Sequence, residues 1–349
     1  MKFKIVQEFS PNTSLRWSQS HAYVPTPLLL GDRIRVFYSG WDAMKVGRIG
    51  FADFEREPPY KNFYTSTEPC FDIGERGMFD EHGVTPSCLT HSSDQSLMLY
   101  YIGWQKQAST RYTLFAGRAV STDNGESWER TSKTPFLDRH HSYGLFVRTS
   151  PFVVDDLIFY TSGSNWIQVR EGAAGSSFKE IPTYSLRVID NSKIDDDDYD
   201  SPVIIRGLPL GTIGVGRSYL WRGIDSLALS GLFSIRVLPS RPDWTRREPT
   251  QHYAIWYGEQ LLGQERKTFN LLKQVDIIGN LTGTYSTRGT LFKCEWSQAF
   301  PYLLDDGKRT LMFFNGDNFG EGGFFIAEQV KGENNQGRSG IRRRGARQL

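Results

Sequence analysis

The residues able to do chemistry are few, and the densest group is Asp80-Glu81-His82, two carboxylates beside an imidazole. A carboxylate pair with a nearby histidine suits proton transfer, with His82 as a proton shuttle. The same three residues also suit a hydrogen-bonding clamp on a ligand hydroxyl, or a loop in which Asp80 caps the strand that follows. Asp42 stands directly after Trp41, and Asn315 and Asp317 share one loop. Each of these either binds a hydroxyl or ends a strand. Arg148, Arg217 and Arg236 lie in strand-like surroundings, where a guanidinium is costly to bury unless it meets an acid or a ligand. Trp41, Trp104 and Trp166 each follow an aromatic-rich strand, as flat binding platforms or as ordinary packing. No metal or other cofactor is expected. His140 and His141 would point to opposite faces of a strand, and the acidic run Asp195–Asp200 lacks the spaced ligands of a calcium loop.

These residues are positioned by a repeat. Five times a strand opens near a proline, an aromatic-rich strand follows, and a third strand comes after. The openings are Thr26-Pro27, Thr85-Pro86, Ser150-Pro151, Arg217-Ser218 (where the proline is lost) and Phe300-Pro301, separated by 59, 65, 67 and 83 residues. The second strands are Ile34–Tyr38, Leu97–Ile102, Leu157–Tyr160, Leu232–Ile235 and Leu311–Phe314, and the third strands begin at Arg48, Tyr112, Tyr184, Tyr253 and Gly323. One small sheet cannot bury both faces alone, so three short strands per unit at a loose period predict a radial β-repeat. The expected fold is all-β, a five-bladed β-propeller with a central funnel. Its blades cover about residues 21–80, 81–145, 146–205, 206–290 and 291–330, within a single domain spanning 1–330. Residues 2–8 are expected to pair into the last blade, and 331–349 to form a disordered basic tail.

Composition agrees. Aromatics make up 14% of the 349 residues and there are 34 glycines, which favours strands and tight turns. Net charge is +2, but Lys331–Leu349 holds six basic residues against one acidic, leaving a body near −3 that does not look like a nucleic-acid binder. Cys70, Cys88 and Cys294 are odd in number and widely spaced, against a disulfide framework or a zinc site. With no apolar run of signal or membrane length, a cytoplasmic protein without membrane contact is the simplest expectation. The segment Ser121-Thr122-Asp123-Asn124-Gly125-Glu126-Ser127-Trp128 matches the Asp-box pattern of propeller hairpins. There Asp123 accepts turn amides, Gly125 takes a positive φ and Trp128 covers the hairpin.

The runs Phe79–Ser87, Tyr100–Trp104 and Phe313–Gly320 resemble the five-bladed β-propeller glycosidase-like superfamily, which includes arabinanases, invertases, levansucrases and mannoside phosphorylases. The likeness covers about residues 20–330 and extends to bacterial members found among polysaccharide genes. It implies a carbohydrate-active enzyme, a hydrolase or a related transferase or phosphorylase, holding its sugar in the funnel between paired carboxylates. On that resemblance Asp80, Glu81, Asp42 and Glu295 are the catalytic candidates. His82, Trp41, Trp104, Arg148, Arg217, Arg236, Asn315 and Asp317 are the substrate-binding ones. The chain departs from the pattern at Gln298-Ala299-Phe300-Pro301, where relatives carry a glutamate, and at Val147–Pro151, which has no carboxylate. A glycan-binding propeller that has lost one acid is therefore the alternative expectation.

Overall fold

The computed structural model of the protein describes residues 1–92, 94, 96–171, 177–194, 201–223, 226–238, 252–279 and 297–330, about 60% of it strand with almost no helix. After β1 (Lys2–Phe9), the strands β2 (Ser20–Leu30), β3 (Arg33–Trp41), β4 (Gly47–Glu55) and β5 (Asn62–Thr65) form an antiparallel sheet in chain order. Next come β6 (Val84–His91), β7 (Leu97–Lys106), β8 (Tyr112–Ser121) and β9 (Glu129–Arg130), then β10 (Val147–Val154), β11 (Leu157–Glu171), β12 (Ser177–Asp190) and β13 (Ser201–Pro202). A two-residue parallel pairing of Val147 and Arg148 with Leu114 and Phe115 joins these two meanders into one eight-stranded sheet. The third sheet has six strands: β14 (Ile204–Arg206), β15 (Thr212–Val215), β16 (Tyr219–Arg222), β17 (Leu229–Val237), β18 (His252–Leu261) and β19 (Thr268–Gln274). β20 (Asp276–Ile278), β21 (Ala299–Asp305), β22 (Thr310–Asn315) and β23 (Phe324–Gln329) complete the chain, and β1 inserts between β20 and β23.

The near-continuous apolar second strands are explained by burial on both faces. On β3, Ile34, Val36 and Tyr38 pack with Phe9, Phe313 and Ile326, whereas Phe37 points the other way onto Leu99 and Phe115. Alternate residues of one strand thus seal two different neighbours. A buried Arg35 adds a polar staple: it pairs with Asp53 on β4 and with Glu126 of the turn after β8, and donates to the Asn124 carbonyl. That turn is set locally. Ser127 donates through both its amide and its hydroxyl to Asp123, Gly125 takes φ +83, and Trp128 meets Phe37 edge-on at 5.6 Å.

Each proline opening is a bulge. Register shifts between Tyr23 and Thr26 on β2, Pro86 and Cys88 on β6, Thr149 and Phe152 on β10, and Ala299 and Tyr302 on β21. Val24, Ser150 and Phe300 take positive φ of 55, 52 and 57° beside these shifts. A bulge turns the strand and re-aims its carbonyls, so the repeated X-Pro marks a bend and not only a strand start. In the third sheet Gly216-Arg217-Ser218 separates β15 from β16 at the comparable place.

Several expectations need correcting. Trp41 is the last residue of β3, Trp104 lies inside β7, and Trp166 lies inside β11, so none follows its strand. The third strand expected at Tyr184 is the middle of β12, because β11 and β12 run on as a long hairpin pairing Asn165–Glu171 with Ser177–Thr183. Glu295, Cys294, the acidic run 195–200, most of the insertion 237–251 and the tail 331–349 lie outside the described residues.

Candidate functional site

The bulges converge on Arg217. Its Nη1 donates to the carbonyls of Pro25 (3.2 Å) and Ser87 (3.4 Å) and to Thr26 Oγ1 (3.1 Å), and its Nη2 donates to the carbonyls of Pro25 and Phe300. Ser87 Oγ in turn donates to the Pro151 carbonyl at 2.9 Å. Opening segments of β2, β6, β10 and β21 therefore meet around one side chain from between β15 and β16. Arg217 is 1% exposed, its Nε has no partner among the described residues, and burial lowers its pKa to about 10. Carbonyl dipoles, not a carboxylate, hold this cation.

Beside Arg217 stands a group of phenols. The Tyr112 and Tyr184 hydroxyls share a hydrogen bond of 2.9 Å, and Arg236 lies 5.3 Å over the Tyr184 ring while donating to the Pro182 carbonyl. Burial raises the pKa of Tyr23, with Tyr253 and Tyr112 adding to it and Arg217 and Arg236 opposing it. Tyr184 and Tyr253 are also raised, first by burial. These tyrosines come from β2, β8, β12 and β18. They belong to two apolar clusters: Tyr23 and Tyr253 pack with Val24, Ala299 and Phe300, and Tyr112 and Tyr184 pack with Phe146, Trp104 and Trp166. The result is an aromatic, hydroxyl-studded surface backed by two buried cations, suited to a ligand rich in hydroxyls.

The acidic group divides. Asp80 is fully buried; its Oδ2 accepts from Tyr101 Oη (3.0 Å) and Arg130 Nε (2.9 Å), and its Oδ1 has no partner among the described residues. A Cβ on Gly74 would come within 2.0 Å of that Oδ1, so a glycine is needed there. Glu81 turns the other way, accepting from the Gly77 amide (2.8 Å) and Gln105 Nε2 (3.0 Å), and the Gly77 amide followed by Gln105 lowers its pKa. His82 lies 3.6 Å from Glu81, accepts from the Lys106 amide at 3.4 Å and is bonded through its own amide to the Trp104 carbonyl. Glu81 and His82 thus reach the Trp104 edge of the tyrosine group, and Asp80 does not.

Asp42 accepts from Arg48 Nη1 (2.7 Å) and from the amides of Met44 and Val46, closing the turn between β3 and β4. Trp41 is stacked on His21, with centroids 3.9 Å apart, and Trp104 donates to Thr85 Oγ1. Arg148 is buried against Tyr160 and the Asp138 carbonyl. Asn315 is wholly buried, accepting from the Val24 amide and donating to the Ala22 and Gly323 carbonyls, so it ties β22 to β2. Asp317 accepts from the Ser297 amide at 2.6 Å. Trp41, Asp42 and Lys45 line a pocket of about 620 Å³ with Gln19, Asn318 and Phe319. Sequence reasoning missed Tyr23, Tyr112, Tyr184 and Tyr253 as a group. The signal was a tyrosine opening three of the five expected third strands, of which Tyr112 and Tyr253 do stand at a strand start and Tyr184 does not.

No family model matches the chain. Two curated proteins of Mycobacterium tuberculosis, from strains CDC 1551 / Oshkosh and ATCC 25618 / H37Rv and each described as uncharacterized, are 32% identical over 186 residues. The match covers 51% of this chain and 58% of theirs, so it spans little more than half their length. Among solved structures, a protein in an RGII complex superposes with a TM-score of 0.59 at 14% identity, over 97% of this chain and 92% of that one. A structure from the GH130 family of mannoside phosphorylases, which contains glycoside hydrolases targeting β-1,2 mannosidic linkages in Candida mannan, gives 0.55 at 12%, over 93% of each chain. A family 117 glycoside hydrolase of the marine bacterium Zobellia galactanivorans gives 0.51 at 13%, over 94% of this chain and 88% of that one. The chain shares the overall fold of these solved structures.

Proposed function

We propose that this chain is a carbohydrate-active protein of the glycosidase type, built as one five-bladed propeller over residues 1–330, with a glycan seated in the funnel mouth above Arg217. The observation that carries this reading is the gathering of Tyr23, Tyr112, Tyr184 and Tyr253 from four separate meanders around buried Arg217 and Arg236. The eight-stranded sheet then counts as two blades joined at the brief pairing of β8 with β10. In this reading Trp104 offers a platform, and Glu81 with His82 supplies the reactive edge. Glu81 is held ionised by the Gly77 amide and Gln105, which fits a base or nucleophile and not a general acid. Asp42 and Glu295 are the opposing candidates, and Asp80 supports the loop from behind. Hydrolysis, transfer and phosphorolysis share this arrangement.

One observation favours a second reading, binding without cleavage. β2, β6, β10 and β16 contain no carboxylate, and that of β21 is Asp305, at the end away from Phe300. The test is a printed array of plant, fungal and bacterial oligosaccharides, followed by product analysis of each bound glycan with wild type, Glu81→Gln, Asp42→Asn and Glu295→Gln. Cleavage abolished by Glu81→Gln supports the enzyme. Binding without products in the wild type supports the second reading, and no bound glycan at all overturns both.

A further inference from the structure

Beyond the tyrosine group, the pocket of about 620 Å³ between the β2–β5 sheet and the turn after β22 has a composition of its own. Two of its walls are aromatic. Trp41 is stiffened by the His21 ring stacked at 3.9 Å with an interplanar angle of 16°, and its indole N–H donates to none of the described residues. Phe319 is 37% exposed. It stands on a turn in which both Asn318 and Phe319 take left-handed backbone angles, φ 52 and 58°. Two consecutive non-glycine residues in that region cost about 1–3 kcal/mol each, and such geometry clusters at ligand sites. The turn is held in place by Asp317 on the Ser297 amide, by Asn318 on Glu321 Oε2 and by the Glu321 amide on the Asn318 carbonyl.

The polar groups of the pocket are of two kinds. Asp42 is already committed to Arg48 and two amides. The Gln19 amide and the Lys45 ammonium make no hydrogen bond or ion pair with any described residue. Aromatic walls with a free amide, a free indole N–H and a free ammonium match a pyranose, whose ring face is apolar and whose rim is hydroxyl. The pocket is also continuous with the tyrosine group. Tyr23 meets Trp41 edge-on at 6.0 Å and Phe319 at 6.4 Å, and Phe319 meets Tyr253 at 5.9 Å.

We infer that this pocket is an outer sugar subsite, in which a second pyranose packs against Trp41 and Phe319 and donates to or accepts from Gln19 and Lys45. The ligand is then an oligosaccharide of at least two residues, running from the tyrosine group past Tyr23 and out over the turn at Asn318. The inference rests on the carbohydrate reading. It is tested with glycans that bind on the printed array, each titrated calorimetrically as a series from monosaccharide to tetrasaccharide, against wild type, Trp41→Ala, Phe319→Ser and Gln19→Ala. In the wild type the added residue that reaches the pocket tightens binding about tenfold, and that gain falls below about twofold in Phe319→Ser and Trp41→Ala. Phe319 is exposed enough that its replacement leaves folding intact, which the circular dichroism spectrum checks. A length gain that survives in both aromatic variants overturns the subsite and leaves the carbohydrate reading standing. An array with no bound glycan overturns the carbohydrate reading itself.

Discussion

Replacing Arg217 with methionine keeps an unbranched stem that ends where the guanidinium begins and removes every donor at the convergence of the opening strands. The Pro25, Ser87 and Phe300 carbonyls lose their guanidinium contacts in a site that is 1% exposed. Stranding a buried acceptor costs about 1–3 kcal/mol, or roughly 3–9 kcal/mol for three. Against this stands the desolvation of the cation, of several kcal/mol, which the variant no longer bears. Burial lowers the Arg217 pKa to about 10, so that opposing term is real. Because the carbonyls come from three different strands and cannot re-pair with one another, the stranded acceptors win, and a net loss of about 2–4 kcal/mol follows. A chain of this size shifts its melting temperature by roughly 1.5 °C per kcal/mol, giving a fall of about 3–6 °C. Arg217→Lys keeps the charge but not the fork, and falls between the variant and the wild type. The assay is calorimetric melting together with urea unfolding at matched protein concentration. Unchanged or increased stability in Arg217→Met would refute the claim that this arginine pins the opening strands, since it would mean that burying the cation cost more than its contacts returned.

Other consequences concern single groups. Asp80→Ala removes a fully buried carboxylate from Arg130 and Tyr101 and lowers stability by about 3–5 kcal/mol, whereas Glu81→Gln stays within about 1 kcal/mol of wild type while losing product formation; matched urea curves and product assays separate them. Among the described residues, seven tyrosines (Tyr23, Tyr38, Tyr60, Tyr100, Tyr101, Tyr184 and Tyr253) have raised pKa values, first through burial. Above about pH 10 the unfolded chain releases phenolic protons that the folded chain keeps, so stability holds below that pH and falls as pH rises past it, by up to about 1.4 kcal/mol per group per pH unit. Absorbance of phenolate at alkaline pH should then appear together with loss of circular dichroism, and early stepwise titration of all sixteen tyrosines would contradict the burial. At the acid end, burial would raise the Asp123 pKa, but hydrogen bonds from Ser121 and Ser127 bring it down to about 2. Its contribution is present above pH 4 and is lost as pH falls toward 2, and the pH dependence of melting should flatten there in Asp123→Ala.

How far the sequence could be read follows from what each residue touches. The proline openings and the apolar second strands were legible because packing one sheet between two others demands both faces apolar, as Val36 and Phe37 show on neighbouring positions of β3. The bulges were half legible. Proline marks where the strand bends, but the left-handed residues beside it, Val24 and Phe300, are types that rarely take such angles and gave no sign of it. Arg217 was visible as a candidate, yet its role was not. No local pattern reveals that its partners are carbonyls 83 to 192 residues away. Asp80 and Glu81 show the same limit at closer range. Adjacent residues in a turn face different surroundings, so one carboxylate is buried against half-buried Arg130 and the other accepts from Gln105 beside Trp104. Tyr112 and Tyr253 stand at the starts of β8 and β18 and were overlooked because a search for chemistry looks first for acids, whereas Tyr23 lies within β2 and Tyr184 in the middle of β12. In a radial fold, equivalent positions of the repeat meet near one axis. A residue type recurring from one repeat to the next is therefore stronger evidence of a shared surface than any single charged residue between the strands.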